Sequence, residues 1–428
     1  MKRVLMIAFH YPPCVGSSGI LRTLKFSRYL PAQGWQPILL TAHPRAYCQV
    51  GNEQLAEIPQ EVVIKRALAL DASRHLSVRG AYARWMALPD RWSSWWLGAV
   101  PTGLRLLRRY RPDVMWSTYP IATAHLIGLT LHALCGIPWV ADFRDSMTEE
   151  MYPPDATTRH IYRWIEWQTT RSSACLIFTA RSTRRMYMER YPVLRPEQCV
   201  VIPNGYDEEN FTGLTVTSRA EKPQDRPLRL LHAGVIYPEE RDPRPFLRAL
   251  ARLQHDGHIT ASTVRVDLRD SGSEDYYSAI IQDLGIGDLV HLLPALSYRQ
   301  SLQDCADADA LLLFQAASCN HQIPAKAYEY LRLQKPILAL TDTMGDTAAL
   351  LRDNGGATIA ALSDEQALYR TFPRFLHAVR HGTHPLPDST KSQRYSRHEQ
   401  ARELAACFSR LITLPGASYR PSGNKSEI

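Results

Sequence analysis

Short apolar runs bounded by turn residues recur along the whole chain, and segments of helix length separate them. In the first half these runs are Val4–Phe9, Pro37–Ala42, Val62–Arg66, Asp113–Ser117, Trp139–Asp142, Cys175–Ala180 and Val200–Pro203. In the second half they are Leu228–Ala233, Val264–Leu268, Val290–Leu293, Ala310–Phe314, Pro336–Leu340 and Ala357–Ala360. Strands that are apolar almost throughout are covered on both faces, as in parallel sheets connected by helices. The pattern predicts an α/β protein with two parallel sheets.

A polar segment, Phe211–Pro227, separates the two series and is typical of a linker or surface loop. We expect an N-terminal domain over residues 1–210 and a C-terminal domain over residues 211–390. Residues 397–412 are predicted to form a last helix that packs back on the first domain, and residues 413–428 a disordered tail. A length of 428 residues also exceeds what one hydrophobic core normally serves.

Composition narrows the class of partner. Lys and Arg number 50 and Asp and Glu 42, and this excess favours anionic partners such as phosphorylated small molecules, membrane surfaces or nucleic acid. Nucleic acid is not expected, because the sequence contains no recognisable binding module. The eight cysteines are scattered singly, which is typical of free thiols in a reducing cytosol rather than of zinc sites or disulfides. The N-terminal apolar run is short and has no signal-peptide cleavage site, and no apolar run is long enough to span a membrane, so a cytoplasmic location is predicted.

Three segments at predicted strand ends carry polar or glycine residues. The first contains Gly16 and Ser17, and the following helix carries Arg22. Its glycine would let the backbone approach a ligand and the helix N-terminus would attract an anion, although a plain turn explains the loop equally well. The second segment contains Asp142, Arg144 and Asp145, whose charges either pair to fix the loop or serve a substrate.

The third segment precedes and begins a helix at Pro324, a residue suited to the first helical position. Lys326 and Glu329 are three residues apart and therefore share a face near the helix N-terminus. A lysine there suits a diphosphate, and a glutamate can accept two hydrogen bonds from ribose hydroxyls. The alternative is an exposed ion pair between the two side chains.

The sequence resembles the family 4 glycosyltransferases. The matching pieces are Val4–Pro13 with Gly16, Ala141-Asp142-Phe143-Arg144-Asp145, Ile202-Pro203-Asn204-Gly205-Tyr206-Asp207, His232-Ala233-Gly234-Val235-Ile236-Tyr237 with Arg241, and Ile323-Pro324-Ala325-Lys326-Ala327-Tyr328-Glu329-Tyr330-Leu331. The resemblance implies the GT-B fold, with two Rossmann-like domains facing each other across a cleft. It also implies retention of anomeric configuration and a nucleotide-sugar co-substrate, with a UDP-sugar favoured and no metal required.

The resemblance further implies roles for individual residues. Arg241 and Lys326 would neutralise the departing diphosphate, and Asp142 is grouped with them as catalytic. Glu329 matches the second acid of the family's Glu-x7-Glu pattern and would hold the ribose, while the position of the first acid is occupied by His321. The whole donor-binding set is Gly16, Ser17, Gly234, His321, Gln322, Ile323, Pro324 and Glu329. The acceptor-side set is Arg22, Arg144 and Asp145.

The expected function is transfer of a sugar from a nucleotide sugar to a glycan or lipid-linked acceptor, in synthesis of bacterial cell-surface polysaccharide. Two alternatives stay open: a nucleotide-sugar epimerase of the same fold, and a non-catalytic subunit that binds nucleotide sugar. The departure at His321 keeps the second of these open.

One further segment suggests contact with a membrane. Trp92, Trp95 and Trp96 follow helical spacing, and arginines are frequent from Arg105 to Arg111. Tryptophan on one helix face with arginine nearby is typical of an interfacial element on anionic lipid, and ordinary core packing of the aromatic rings is the alternative. The segment predicts peripheral contact with the inner face of the cell membrane.

Overall fold

The structure is a computed structural model that describes residues 1–16, 19–150, 152–217, 225–238 and 241–413. The chain forms two compact units. The first comprises Met1–Pro203 together with the segment that begins at Arg397, and the second comprises Asn204–Ser396. The predicted tail, from residue 414 onward, lies outside the described residues, as does Ser17 of the predicted donor-binding set.

Each unit is built on one parallel sheet. The strands are β1 Lys2–Ile7, β2 Trp35–Ala42, β3 Val63–Ala67, β4 Val114–Thr118, β5 Trp139–Arg144, β6 Cys175–Phe178, β7 Cys199–Val201, β8 Leu228–Ala233, β9 Val264–Arg269, β10 Val290–Leu293, β11 Ala310–Gln315, β12 Ile337–Thr341 and β13 Ala357–Ala360. The first sheet has the order β3-β2-β1-β4-β5-β6-β7, and the second has the order β10-β9-β8-β11-β12-β13. All of these neighbouring strands pair in parallel.

Helices connect the strands. They are α1 Gly19–Tyr29, α2 Ala72–His75, α3 Trp95–Tyr110, α4 Ala122–Cys135, α5 Ala156–Ser172, α6 Arg181–Arg190, α7 Arg244–His255, α8 Glu274–Asp283, α9 Tyr298–Asp307, α10 Ala325–Leu333, α11 Asp346–Asn354, α12 Glu365–Arg380, α13 Ser389–Gln393 and α14 Arg397–Thr413. None of the helices among the described residues is long and apolar enough to cross a membrane.

The first sheet is covered on both faces, which explains its apolar strands. Leu5 and Ile7 of β1 face a core shared with α3, α4, α5 and α6. Val4 and Met6, which point to the opposite face, pack in a second core with α1 and α14. In that second core the ring of Phe408 from α14 lies 5.2 Å from the ring of Trp35. The C-terminal helix is therefore an integral layer of the first unit.

The division between the units falls earlier than the sequence analysis placed it. Tyr206 and Phe211 belong to a core of the second unit, and the backbone N–H of Tyr206 donates to the carbonyl of Tyr395 at 3.1 Å. The segment predicted as a linker is also partly held to this unit, because Lys335 Nζ donates to the carbonyl of Thr217 at 2.6 Å. Side-chain and backbone contacts of this kind were not visible in the composition of the segment.

Both sheets reverse their strand order at one point, where a ligand crevice normally forms beyond the carboxyl ends of the strands. In the first unit this switch point lies between β1 and β4, and in the second it lies between β8 and β11. The topology thus assigns one candidate crevice to each unit.

Candidate active site

At the switch point of the second unit, the chain leaves β8 through a glycine. Gly234 has a φ of +107°, a conformation that side chains disfavour, and its N–H donates to the carbonyl of Arg269 at 2.9 Å. A Cβ atom at this position would lie 3.1 Å from Nζ of Lys326. The glycine therefore lets the ammonium group of Lys326 lie directly against the backbone.

Lys326 is the second residue of α10, and a buried histidine holds its side chain. Its Nζ lies 3.0 Å from Nε2 of His232, while Nδ1 of His232 lies 2.8 Å from the carbonyl of Leu312. A carbonyl only accepts hydrogen bonds, so Nδ1 carries the proton and Nε2 accepts from the lysine. The sequence analysis missed this role of His232, and a histidine inside an otherwise apolar strand was the available signal.

The electrostatics of this pair follow from burial. The pKa of Lys326 is lowered to about 7, chiefly by burial and then by the positive charge of Arg241, while Glu329 opposes the shift. Burial, followed by the charge of Lys326, lowers the pKa of His232 well below its usual value, so the imidazole stays neutral. The neutral imidazole thus serves as a hydrogen-bond acceptor for the ammonium group and not as its counterion.

Arg241 supplies the second cation. Its Nη1 donates to the carbonyl of Val235 at 2.9 Å, and its guanidinium carbon lies 5.3 Å from the ring centre of Tyr237. Among the described residues, its buried Nε has no hydrogen-bond partner. A buried N–H without an acceptor is costly, so this group is available to an anionic ligand.

Glu329 follows Lys326 by about one helical turn. Its Oε1 accepts a hydrogen bond of 2.6 Å from the hydroxyl of Tyr298, the first residue of α9. The structure thus gives Lys326 and Glu329 separate hydrogen-bond partners, a histidine and a tyrosine respectively. Tyr298 is a second residue that the sequence analysis did not single out.

The loop before α10 is fastened to the ends of β11 and β12. Nε2 of the buried Gln315 donates to the carbonyls of Cys319 at 3.0 Å and Gln322 at 3.3 Å. Asn320 Nδ2 lies 2.5 Å from a carboxylate oxygen of Asp342. These bonds fix a loop whose remaining members belong to the predicted donor-binding set: His321, Gln322, Ile323 and Pro324.

Pro324 sits at the boundary between this loop and the helix. It is the residue that precedes α10, whereas the sequence analysis made it the first helical residue. The N–H groups of the first turn of α10 consequently open toward the loop.

The predicted residues of the first unit have a different character. Arg22 Nε and Nη2 donate to the two carboxylate oxygens of Asp142 at 2.7 and 3.3 Å. Arg22 also donates to the carbonyls of Ile202 and Pro203, both at 3.0 Å. Arg22 is 1% exposed and Asp142 is 0% exposed. This arrangement favours a structural ion pair over the expected catalytic role of Asp142 and the expected acceptor role of Arg22.

Arg144 lies at the switch point of the first unit. Its φ is +58°, its side chain is buried, and among the described residues its Nε and Nη1 have no hydrogen-bond partner. It lines a cavity of about 10 Å³ together with His10, Thr23 and Tyr119. Burial, followed by the charge of Arg144, lowers the pKa of His10 to about 4. The cavity therefore presents an unsatisfied cation and a neutral imidazole to one water-sized group.

Two other predicted residues of this unit are less informative. Burial raises the pKa of the neighbouring Asp145, and the charge of Arg144 opposes the rise. Gly16 has a φ of +78°, and a Cβ there would lie 3.1 Å from Oε1 of Gln49. Gly16 is thus required by a left-handed turn whose nearest neighbour is a glutamine.

The three tryptophans predicted to face a membrane lie in the core instead. Trp95 is fully buried, and Trp92 and Trp96 are partly buried against the same core. The indole N–H of Trp96 donates to Oγ1 of Thr130, and the ring of Trp92 lies 4.8 Å from the ring of Phe9. Their helical spacing arises because α3 and the residues just before it pack against the first sheet. The prediction that these three rings face a membrane was wrong.

Comparisons with known proteins are consistent with these features. Residues 20–205 match the family model described as "Glycosyl transferase 4-like domain". No curated protein sequence is significantly similar to the chain. Within the described residues, no three His, Cys, Asp or Glu side chains cluster as they would around a metal ion.

Solved structures match almost the whole chain at low identity. Anabaena HepE in complex with UDP is 14% identical with a TM-score of 0.65, and the match covers 96% of this chain and 100% of that one. The lipopolysaccharide outer core galactosyltransferase WaaB, in its apo form, is 12% identical with a TM-score of 0.63, covering 96% and 100%. A UDP-N-acetylglucosamine 2-epimerase is 13% identical with a TM-score of 0.55, covering 96% and 97%.

Identities this low show the fold alone, and the family match adds the enzyme class. Both agree with the two parallel α/β units described above and confirm the predicted fold class and enzyme class. Residues 20–205 of the chain are similar to a glycosyl transferase 4-like domain, and the fold of the chain is GT-B.

Proposed function

We propose that the protein is a retaining glycosyltransferase that takes a sugar from a nucleoside diphosphate sugar, with a UDP-sugar favoured. One observation carries this proposal: the half-buried ammonium group of Lys326 is hydrogen-bonded to a neutral imidazole and lies against the backbone of Gly234. Such a cation is set up for an anion that the protein itself does not supply. The HepE structure contains UDP, which supports the choice of nucleotide.

In this proposal each residue of the second unit has one task. Lys326 and Arg241 bind the diphosphate and stabilise the negative charge that builds on it as the glycosidic bond breaks. The N–H groups of the first turn of α10 add to that potential. Glu329, oriented by Tyr298, accepts hydrogen bonds from the ribose hydroxyls.

We place recognition of the acceptor in the first unit, at the switch point beside Arg144 and Asp145. Nε and Nη1 of Arg144, which have no hydrogen-bond partner in the part of the chain that the structure describes, and the water-sized cavity fit a single hydroxyl group. A glycan or a lipid-linked glycan presents such hydroxyls. The WaaB structure, described as a lipopolysaccharide galactosyltransferase, supports an acceptor destined for a bacterial cell surface.

The proposed reaction retains the anomeric configuration. The bond between C1 and the diphosphate oxygen breaks, and the acceptor oxygen forms a bond to C1 on the same face of the sugar. The proton of the acceptor hydroxyl passes to the departing phosphate oxygen, so the protein needs no separate general base. Fixed cations carry the charge stabilisation, and no metal ion is part of the proposal.

A nucleotide-sugar epimerase is the alternative, because one neighbour with the same fold is an epimerase. The test incubates the protein with UDP-, GDP- and ADP-sugars, with and without an acceptor extract of glycan or lipid-linked glycan. Release of nucleoside diphosphate that requires the acceptor supports transfer. Isomerisation of the sugar without any acceptor would replace the proposal with the epimerase. Nucleotide binding without turnover under either condition would identify a non-catalytic subunit.

The nucleotide can be identified before any acceptor is known. A ligand that binds only the native state raises the melting temperature, by mass action. We expect UDP to stabilise the wild-type protein more than GDP or ADP does, and Lys326→Met to lose most of the stabilisation by UDP. Equal stabilisation of both proteins by UDP would remove the diphosphate from this site.

The predicted peripheral contact with the membrane is kept as a proposal, on different residues. The three tryptophans named from the sequence are not exposed enough to form it, but the arginines of the same helix are on the surface.

A further inference from the structure

Helices α3, α4 and α5 lie side by side on one face of the first sheet, with α4 between the other two. Their inner sides share one core, to which Trp95, Ile127 and Ile165 belong. Their outer sides form a continuous surface, which we call the α3–α5 face. The four most informative exposed side chains on it are Leu97, Leu134, Trp164 and Trp167.

Apolar groups of this face are unusually exposed. Leu97 is 66% exposed and Leu134 is 61% exposed, on α3 and α4 respectively. On α5, Trp164 is 46% exposed and Trp167 is 40% exposed. Single exposed leucines are common on protein surfaces, whereas two exposed tryptophans about one turn apart on α5 favour an interaction site.

The charge of the face has a single sign. The three helices contain six arginines: Arg105, Arg108, Arg109, Arg159, Arg163 and Arg171. Their one acid, Glu166, is fully buried, and Arg190 donates to it at 2.7 Å. The outer side therefore carries arginines with no exposed carboxylate among them, which favours an anionic surface as the partner.

The spacing on α5 combines the two properties. His160, Trp164, Trp167 and Arg171 follow one another at intervals of four, three and four residues, so they lie along one side of the helix. The guanidinium carbon of Arg171 lies 4.7 Å from the ring centre of Trp167. A tryptophan beside a guanidinium group suits the boundary between lipid headgroups and acyl chains.

A groove at the ends of α3 and α4 also combines apolar side chains with arginines. It measures about 560 Å³ and is lined by Leu104, Leu107, Leu134, Cys135 and Ile137, with Arg108 and Arg111. An apolar floor with two guanidinium groups matches a lipid that joins an acyl chain to a phosphate.

We propose that the α3–α5 face docks the protein on a membrane that contains anionic phospholipid. The exposed tryptophans and leucines enter the headgroup boundary, and the arginines bind lipid phosphates. The proposal goes beyond the glycosyl transfer and does not depend on it, because lipid binding is measured without turnover.

The test is sedimentation of the full chain with vesicles of phosphatidylglycerol and phosphatidylcholine, against vesicles of phosphatidylcholine alone. We expect binding only to the anionic vesicles, and release as salt rises because screening acts within about a Debye length. Arg105→Glu/Arg108→Glu/Arg163→Glu should weaken binding by at least about tenfold. Trp164→Ser/Trp167→Ser should weaken it with little change in salt dependence, because these side chains contribute apolar contacts.

Exposed arginines of the second unit provide a control. Arg370→Glu/Arg374→Glu reverses the charge at two exposed positions on α12 and should bind anionic vesicles as the wild type does. Melting temperatures of all variants establish that they fold. The proposal is overturned if the wild-type protein does not sediment with anionic vesicles. It is also overturned if the charge-reversal variants of the α3–α5 face fold and bind these vesicles as tightly as the wild type does. Loss of binding in the α12 control instead of the α3–α5 variants would move the docking surface to the second unit.

Discussion

The two switch points of this molecule share a topology and differ in how their charges are used. In the second unit, the cation at the strand ends has a neutral acceptor and a glycine beside it. Next to the first unit's switch point, Arg22 pairs with Asp142 and also donates to two backbone carbonyls, and both side chains are buried. The two units thus hold buried charge near their switch points in different ways, with a neutral hydrogen-bond acceptor in one case and an ion pair in the other.

A structural charge differs from a functional one in whether a partner within the protein satisfies it. A buried charge whose hydrogen-bonding capacity is used within the protein stabilises the native state only while its partner is present. A charge held without a counterion lowers stability and is retained for another reason. Substitution of Arg22 or Asp142 should therefore lower stability, and substitution of Lys326 should lower activity.

The largest expected effect on stability is at Arg22. Arg22→Met would leave the buried carboxylate of Asp142 without its partner, and we expect a loss of about 3–5 kcal/mol in the free energy of unfolding. Urea denaturation measures it. The double variant Arg22→Met/Asp142→Leu should recover most of that loss. If Arg22→Met is as stable as the wild type, the pair is not structural and the contrast between the units fails.

At Lys326 we expect the opposite pattern. Lys326→Met should reduce turnover by about 10²–10³-fold, the typical effect of losing one preorganised group at a developing charge. Its stability should not fall, because burial already lowers the pKa of this lysine to about 7. Unfolding lets the wild-type lysine regain protons between that value and its usual one, so the stabilisation by Met is greatest below about pH 7 and shrinks toward high pH.

Turnover and thermal unfolding of the same preparation test both halves of that prediction. Gly257→Ala is a control for general damage in the second unit, since Gly257 has a φ of +75° with no neighbour within 4 Å. It should keep its activity even if it melts earlier. Near-normal turnover in Lys326→Met would contradict a role of this ammonium group in the reaction.

A smaller effect is expected at Glu329. Glu329→Gln replaces a carboxylate with a neutral amide, and nucleotide binding should weaken by about 1–3 kcal/mol, the range for a hydrogen bond to a charged group. Tyr298→Phe removes the hydroxyl that orients this carboxylate and should have a weaker effect of the same sign. Calorimetric titration with UDP measures both. Unchanged affinity in Glu329→Gln would leave it as a surface acid of α10.

How far the sequence predicted this molecule can be seen at particular residues. The alternation of apolar runs and helical segments predicted both sheets, because burial on two faces leaves a direct signal in composition. Lys326 and Glu329 could be proposed as site residues from the sequence because their spacing and helix position are local. His232 and Tyr298 were missed because their contacts join distant parts of the chain. The tryptophans before and within α3 gave a wrong prediction of a membrane-facing surface, because aromatic residues have the same helical spacing on a core face as on an exposed one.

Binding of a diphosphate beside Lys326 should depend on pH. In the free protein, burial and then the charge of Arg241 lower the pKa of Lys326 to about 7. Glu329, Cys305 and Asp270 act in the opposite direction and favour the charged form. A bound diphosphate also favours the charged form, so binding above about pH 7 takes up a proton. Affinity for UDP should therefore be level below that pH and weaken above it, by at most about tenfold per pH unit. Lys326→Arg, whose guanidinium stays charged, should show no such slope above pH 7. Titrations in buffers of different ionisation enthalpy count the protons taken up. An equal slope in the wild type and Lys326→Arg would assign it to the nucleotide's own phosphate.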